Sequence, residues 1–580
     1  MNKKSKINNP QTDGGFYIKN GEFYFPDSDN CQSLTTGAKS NFTIKPIAYM
    51  HNPPNGTNSI IFDIINTNNQ NATIFTSVES ISSLTKFKLI IESQGNFLFV
   101  GGKADFYKLH NWLLSNAKLI SCEEITQLGW QKQGFWAWAN GIYIPDYGNN
   151  GQFIPVDEYG IVSLGHHYFF LPAFSKIFEI NTDLFHHERQ FLFKKGSISS
   201  VDCFQLLHKV YGDKAIVALS FLFASLFRDV FFDKFYCFPI LNLFGPKGTG
   251  KSNMAVALLK FFGNQSRGPN IANSTKSGMA DHLSSYSNAI AYIDEYKNSI
   301  DADKVELLKS VYDGIGRTKI NTDSIKGKET SKVNAGLVLC GQEMPIMDVA
   351  LCSRIVSLPF NKSVFSIEDK ILFEHLKIMQ NDGLGQIVHE ILDLRFEFVQ
   401  HFFSLYQQGC NMFRSASGKL IAPERIVQSY AILFSAAIFV FPRLKNSFSV
   451  KDIVDVFVSS FLVHLNLLSI HEVKKSSIAN EIVPPDENVN GSLINQIVDV
   501  FSNIGFSVDK FTHNMIFSIS KDAYDFSINF FVKEMTVSGR LTFNHVFQAD
   551  IFENYTIKNI DELKFLVFSN RTINSIFKFS

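Results

Sequence analysis

The sequence predicts a multidomain α/β chain whose core is a mainly parallel sheet with helices on both faces. Three observations carry that reading. At 580 residues the chain exceeds what one hydrophobic core serves. A continuous apolar segment, FPILNLF (238–244), runs into a glycine-rich loop and then a helix-like stretch, NMAVALLKFF (253–262). From there to about Phe360 apolar strands alternate with helical patterns, as in a covered parallel sheet.

Taken in order, residues 1–14 are polar and expected to be disordered. Residues 15–200 carry short alternating segments, such as FYIKNGEFYF with Asn20-Gly21 and FWAWANGIYIP with Asn140-Gly141 as hairpin turns. They predict an N-terminal α+β or mostly β module. Helical spacing begins at Asp202, so the core is placed at 201–365. Long amphipathic segments, Leu384 to Tyr406 among them, make 366–473 a helical subdomain. The polar stretch 474–492, with Pro484-Pro485, reads as a linker. A small C-terminal α+β tail follows at 493–580, a winged-helix module being one form of it. No period of 20 to 50 residues marks a repeat array.

Apolar residues at 45% and charged residues at 19% describe a folded chain. The 58 phenylalanines, with abundant Asn, Ile and Lys, match A/T-rich coding. Lys plus Arg equals Asp plus Glu at 54 each, which excludes a surface coated in basic charge but not a basic loop or channel. The seven cysteines form no CxxC pair, so neither a zinc ribbon nor a disulfide framework is expected, and a reducing cytoplasm fits. The start, MNKKSKINNPQTDGG, lacks the apolar run of a secretory signal. The runs Ala215 to Phe227 and Ala431 to Phe441 are too short to span a bilayer. A soluble, cytoplasmic protein with no membrane partner is expected.

The loop Gly245-Pro246-Lys247-Gly248-Thr249-Gly250-Lys251-Ser252, followed by Asn253, fits G-x-x-x-x-G-K-[ST] in its strand–loop–helix setting. Three glycines let successive amides turn inward onto phosphate oxygens, and the following helix adds its positive end. Lys251 would neutralise the terminal phosphates of ATP, and Ser252 would ligate Mg²⁺. About forty residues on, the strand NAIAYIDEY ends in Asp294-Glu295. Asp294 is placed to hold Mg²⁺ and Glu295 to polarise a water. A third strand, AGLVLCGQE, ends in Gln342, which either touches the γ-phosphate or caps the strand. Arg354 precedes a further strand; it either pairs within its own subunit or reaches a neighbour's γ-phosphate.

GPKGTGKS, then IDEY, then LCGQEMPIMDVALCSR, in that order and spacing, resemble the ATPase core of AAA+ and superfamily 3 helicases. The resemblance is strongest to the primase-helicase type of phages, plasmids and integrated elements in Bacteroidetes-like genomes. It covers roughly Phe204 to Phe360, with GWQKQGFWAWANGIY similar to the module that precedes such ATPases. The SR at 353–354 resembles the arginine-finger motif of minichromosome maintenance helicases. By motif match, the resemblance implies an AAA+-like P-loop core binding ATP and Mg²⁺ at Gly245 through Asn253. It assigns magnesium to Ser252 and Asp294, water activation to Glu295, γ-phosphate sensing to Gln342 and a trans finger to Arg354. The family's usual sensor is Asn, so Gln342 departs from it. A second sensor arginine would be Arg395 or Arg425.

In ring helicases a hairpin before the sensor strand enters the pore. Here DGIGRTKINTDSIKGKETSKVN (313–334) carries Arg317, Lys319, Lys326 and Lys328, which would grip a single strand through its phosphates or else form a solvated loop. The aromatics of GFWAWANG either stack on bases or fill the core. The expected activity is an ATP-dependent helicase or translocase replicating a mobile element. Single-stranded or forked DNA, a ring of identical subunits (most simply a hexamer) and a separate primase or other replication proteins are the expected partners. A protein remodeller, switch or loader without its own helicase activity is the alternative.

Overall fold

The structure, a computed structural model, describes residues 16–480 apart from 26–36, 52–57, 116–118, 147–150, 180–182, 264–267, 321–327, 363–365, 419, 421 and 446–447. Beyond residue 480 it describes two antiparallel strand pairs, Met515–Lys521 with Phe526–Val532 and Tyr555–Ile560 with Leu563–Phe568. The start expected to be disordered falls outside the described residues, as does most of the tail in which a winged helix is expected.

The centre is an eight-stranded sheet in the order 152–155, 141–144, 136–138, 128–130, 286–296, 334–341, 240–244 and 355–359. Its last five strands in that order are mutually parallel, and the three at the 152–155 end are antiparallel additions. FPILNLF provides the strand Ile240–Phe244; flanked on both sides, its residues 240–243 are fully buried. That double burial is why the segment reads as continuously apolar. Helices Lys214–Leu226 and Lys251–Leu259 pack on the acidic strand Tyr286–Tyr296, and Glu424–Arg443 and Val450–Asn480 pack on Ile355–Pro359.

A second sheet of six strands spans residues 42–170, with helices Leu84–Glu92 and Lys103–Ser115. Its core is aromatic, with Phe16, Phe23, Phe42 and Phe62 fully buried. The Asn20-Gly21 turn joins Tyr17–Lys19 to Glu22–Tyr24 as an antiparallel pair, both turn residues at positive φ.

The central sheet does not stop at residue 200. Leu128 and Gly129 pair in parallel with Tyr286 and Ser287, so strands from the N-terminal half extend the sheet of the core. The same segment decides the fate of the GFWAWANG aromatics: Trp136 and Trp138 are fully buried, Trp136 stacking on Phe191 and Phe262. They are core. The Trp138 indole N–H donates to His389 Nε2 at 3.0 Å, and Tyr143 stacks on the same imidazole at 3.5 Å while its hydroxyl donates to Asp393 at 2.9 Å. Burial lowers the His389 pKa to about 3, keeping it the neutral acceptor that Trp138 requires. This cluster ties the added strands to the helical subdomain.

The run Ala431 to Phe441 belongs to a helix of 20 residues, Glu424–Arg443. By length and composition this helix and Val450–Ser469 are long and apolar enough to cross a membrane. The first is 78% buried inside the protein, which accounts for its apolarity as core, whereas the second is 28% buried. The helix from Val450 continues to Asn480, into the stretch read as a linker. All six described cysteines are buried and unpaired, and no cluster of three metal-ligating side chains occurs among the described residues. Cys31 lies outside the described residues.

Candidate functional site

Parallel pairing fixes where the motifs meet. Gly341 is in register with both Phe244 and Tyr296, and Phe244 with Pro359, so the carboxyl ends of four strands share one edge of the sheet. The loop after Phe244, the Asp294-Glu295 pair and Gln342 therefore assemble at that edge, where open α/β sheets bind ligands.

Two glycines show why the loop needs them. A Cβ on Gly245 would stand 2.0 Å from the Phe360 carbonyl oxygen, and its φ is +140°. Gly250, at φ +93°, turns the chain into the helix Lys251–Leu259 as its N-cap. The Lys251 ammonium donates to the Pro246 carbonyl at 2.9 Å, and the Thr249 hydroxyl donates to the same oxygen at 2.9 Å. Lys251 is 8% exposed and folded back over its own loop. Lys247, Gly248 and Asn253 are exposed. The cradle, the helix end and the inward lysine fit a polyphosphate.

The acidic strand breaks its regularity where the carboxylates lie. A register shift falls between Ile293 and Tyr296, and Glu295 has φ +62°, uncommon for a non-glycine residue. The Glu295 amide donates to Asp294 Oδ1 at 2.8 Å, and the Asp294 backbone bonds to Pro269 and Ile271, both at 3.0 Å. Asp294 is thus clamped by backbone, while Glu295 stands exposed. Gln342 is also exposed, and it is the first residue after Gly341, whose Cβ would lie 2.5 Å from the Tyr296 carbonyl oxygen. Ser252 and Asp294 present the hard oxygens a magnesium ion takes.

Two tyrosines escaped the motif reading. The Tyr292 hydroxyl, buried two residues before Asp294, lies beside the Ser252 hydroxyl and the Asp294 carboxylate, yet completes an aligned hydrogen bond with neither. The Tyr211 ring lies 3.9 Å from where a Gly250 Cβ would stand, and its hydroxyl is buried without a partner. Strand alternation was the available signal for Tyr292; Tyr211 carried none. A cavity of about 280 Å³ borders the acidic strand, lined by Pro269, Thr275, His282 and Tyr292 among others, but by no residue of 245–252. The phosphate site is an open edge, not that cavity.

Arg354 lies elsewhere. The Ile240 amide donates to the Arg354 carbonyl at 3.1 Å, which puts Arg354 at the amino end of the loop strand, roughly 13 Å along it from Phe244 at about 3.3 Å per residue. Its guanidinium pairs with Asp313 at 3.6 Å and donates to the Ala350 carbonyl at 2.8 Å. With the side chain 12% exposed, the structure displays the intrasubunit pair of the two roles open to it. Arg395 is buried, ion-paired to Asp229 and stacked 4.0 Å over Trp130, a structural arrangement. Arg425 is exposed. The hairpin is present, Ile315–Ile320 against Lys328–Lys332, immediately before the strand Asn334–Gly341. Arg317 and Lys319 lie on its first strand and Lys328 on its second, while Lys326 is outside the described residues.

No family model and no curated protein matches the chain. Among solved structures it is similar to one described as "SCCmec type IV Cch - active helicase", at TM-score 0.53 and 14% identity, over 98% of this chain and 99% of that one. At that identity the likeness shows a shared fold.

Proposed function

We propose that the protein is an ATP-dependent nucleic-acid helicase or translocase serving a mobile element, hydrolysing ATP at the subunit interfaces of a ring. The observation that carries this is the convergence of the phosphate loop, Asp294-Glu295 and Gln342 at one sheet edge, with a hairpin leading into the Gln342 strand. The full-length likeness to a structure described as an active helicase supports the same reading.

The loop amides and Lys251 hold the β- and γ-phosphates, for which Lys251 leaves the Pro246 carbonyl. Ser252 and Asp294 would hold magnesium, which would neutralise phosphate charge. Glu295 orients the attacking water and takes its proton, Gln342 contacts the γ-phosphate, and Arg354 acts on a neighbouring subunit's site after releasing Asp313. Arg317, Lys319, Lys326 and Lys328 grip the phosphates of a single strand.

The formal net charge of zero favours one other reading, a remodeller, switch or loader that engages protein instead of DNA. An ATPase titration with single-stranded DNA, beside unwinding of a forked duplex, separates the two. The proposal expects DNA-stimulated turnover and unwinding, both lost in Lys251→Ala. Turnover indifferent to DNA, with no unwinding, moves the assignment to the remodeller.

A further inference from the structure

Tyr292 is 1% exposed, and its hydroxyl is one of the few buried side-chain groups near the phosphate edge left without a hydrogen bond. Burying an unpaired hydroxyl is unfavourable, and phenylalanine would fill the same volume without that penalty. The hydroxyl also lies where it has three polar neighbours: Ser252, Asp294 and the Cys340 thiol. Tyr292 and Asp294 are two residues apart on a strand and so share a face, the one turned toward the start of the helix Lys251–Leu259. The ring is boxed in place. A Cβ on Gly268 would stand 2.8 Å from Tyr292 Cδ1 and 2.2 Å from its carbonyl oxygen, so only glycine there admits it.

A serine hydroxyl that turns its lone pair to a cation must send its proton elsewhere. Asp294 has one oxygen already held by the Glu295 amide. We propose that the Tyr292 hydroxyl closes this gap as a positioning residue, accepting the Ser252 proton in a hydrogen bond and donating its own to Asp294. The unpaired hydroxyl is then the mark of a site whose hydrogen bonds complete only when metal and nucleotide are bound. This inference rests on the ATPase reading, and it assigns to Tyr292 a role that the phosphate-loop and acidic motifs do not contain.

The test uses the full-length chain and Tyr292→Phe. Manganese is titrated against protein carrying a non-hydrolysable ATP analogue, with free Mn²⁺ read by electron paramagnetic resonance. The expected result is about tenfold weaker Mn²⁺ binding, the low end of what losing a hydrogen-bond partner of a metal ligand costs. Analogue binding without metal should stay unchanged, and the melting temperature should hold or rise, because the empty protein loses a buried unpaired hydroxyl. The magnesium concentration for half-maximal ATPase should rise by about the same factor, with turnover restored at high magnesium. In Ser252→Ala, adding Tyr292→Phe should cost less than about twofold more, because the two act on one contact. Mn²⁺ affinity of Tyr292→Phe within twofold of the unmodified protein overturns the inference, and so does a variant that fails to fold, since the hydroxyl would then serve the empty protein. Unmodified protein that binds no metal–analogue pair sinks the ATPase reading itself, a result distinct from either.

Discussion

The two ends of the central sheet handle polar groups in opposite ways. At the amino end charges are closed off inside the chain. Arg354 pairs with Asp313, and Arg395 with Asp229. Asp229 in turn accepts from the Asn288 amide at 2.5 Å. Arg228, 2% exposed, is covered by the Phe232 and Phe238 rings, and burial lowers its pKa to about 10. At the carboxyl end the polar groups stay available: Glu295 and Gln342 are exposed, Lys251 bonds only its own loop, and the Tyr292 hydroxyl has no partner. The difference is one of exposure and ion pairing: the amino end covers its charges with carboxylates and rings, although Arg228 Nε and Nη2 and Arg354 Nε lack hydrogen-bond partners, whereas the carboxyl end leaves Glu295 and Gln342 open to a ligand.

Arg354 is the residue that can break this contrast, and it carries the largest expected effect. If the amino end is purely structural, Arg354→Ala costs stability and leaves turnover per folded molecule intact. The trans-finger proposal instead expects a fall of about 10³-fold in the assembled protein, the low end of such arginines. Monomer ATP binding should be intact, and mixing with Lys251→Ala subunits should restore part of the rate. Absence of that complementation removes the shared site. Next in size, Glu295→Gln should keep ATP binding and lose at least about 10²-fold in hydrolysis, as loss of a general base does. Phosphate release under single-turnover conditions reads it directly, and retained hydrolysis returns Glu295 to a strand-end turn.

Gly245→Ala sharpens the comparison from the backbone side. The added methyl has to displace the Phe360 carbonyl from 2.0 Å while φ stays positive, so a stability loss of about 2 kcal/mol is expected. The loss should come with weaker ATP binding, measured by chemical denaturation and nucleotide titration. A neutral result would mean that the loop shifts freely and that its shape is set by nucleotide.

How much of this was legible beforehand depends on sequence distance. The phosphate loop was legible because its glycines, lysine and serine lie within eight residues and each answers a local geometric demand. The hairpin before Asn334 was expected only from the resemblance to ring helicases, in which one precedes the sensor strand, and the residues alone left a solvated loop open. Arg395 was not legible, because the partner that makes it structural, Asp229, is 166 residues away. The boundary at residue 200 followed a true change from alternating to helical spacing, but strand addition at Leu128–Tyr286 crosses it, and register between distant strands leaves no periodic trace. Tyr292 was readable in principle, since a strand places residues two apart on one face. A tyrosine inside an apolar run simply passes for core.

The smallest expected effect belongs to Asp313→Asn, and it tests whether the two ends of the sheet communicate. The Arg354–Asp313 pair is 3.6 Å long, with the Asp313 side chain 40% exposed, so its loss should cost at most about 1 kcal/mol. A trans role needs Arg354 released, and weakening its intrasubunit partner raises the released population by up to about fivefold. Assembled Asp313→Asn should therefore hydrolyse ATP faster than the unmodified protein, by up to that factor, with nucleotide affinity of the monomer unchanged. A rate that stays level would mean that the amino end of the sheet is closed for structural reasons alone, and a rate that falls would mean that Asp313 holds Arg354 where it works.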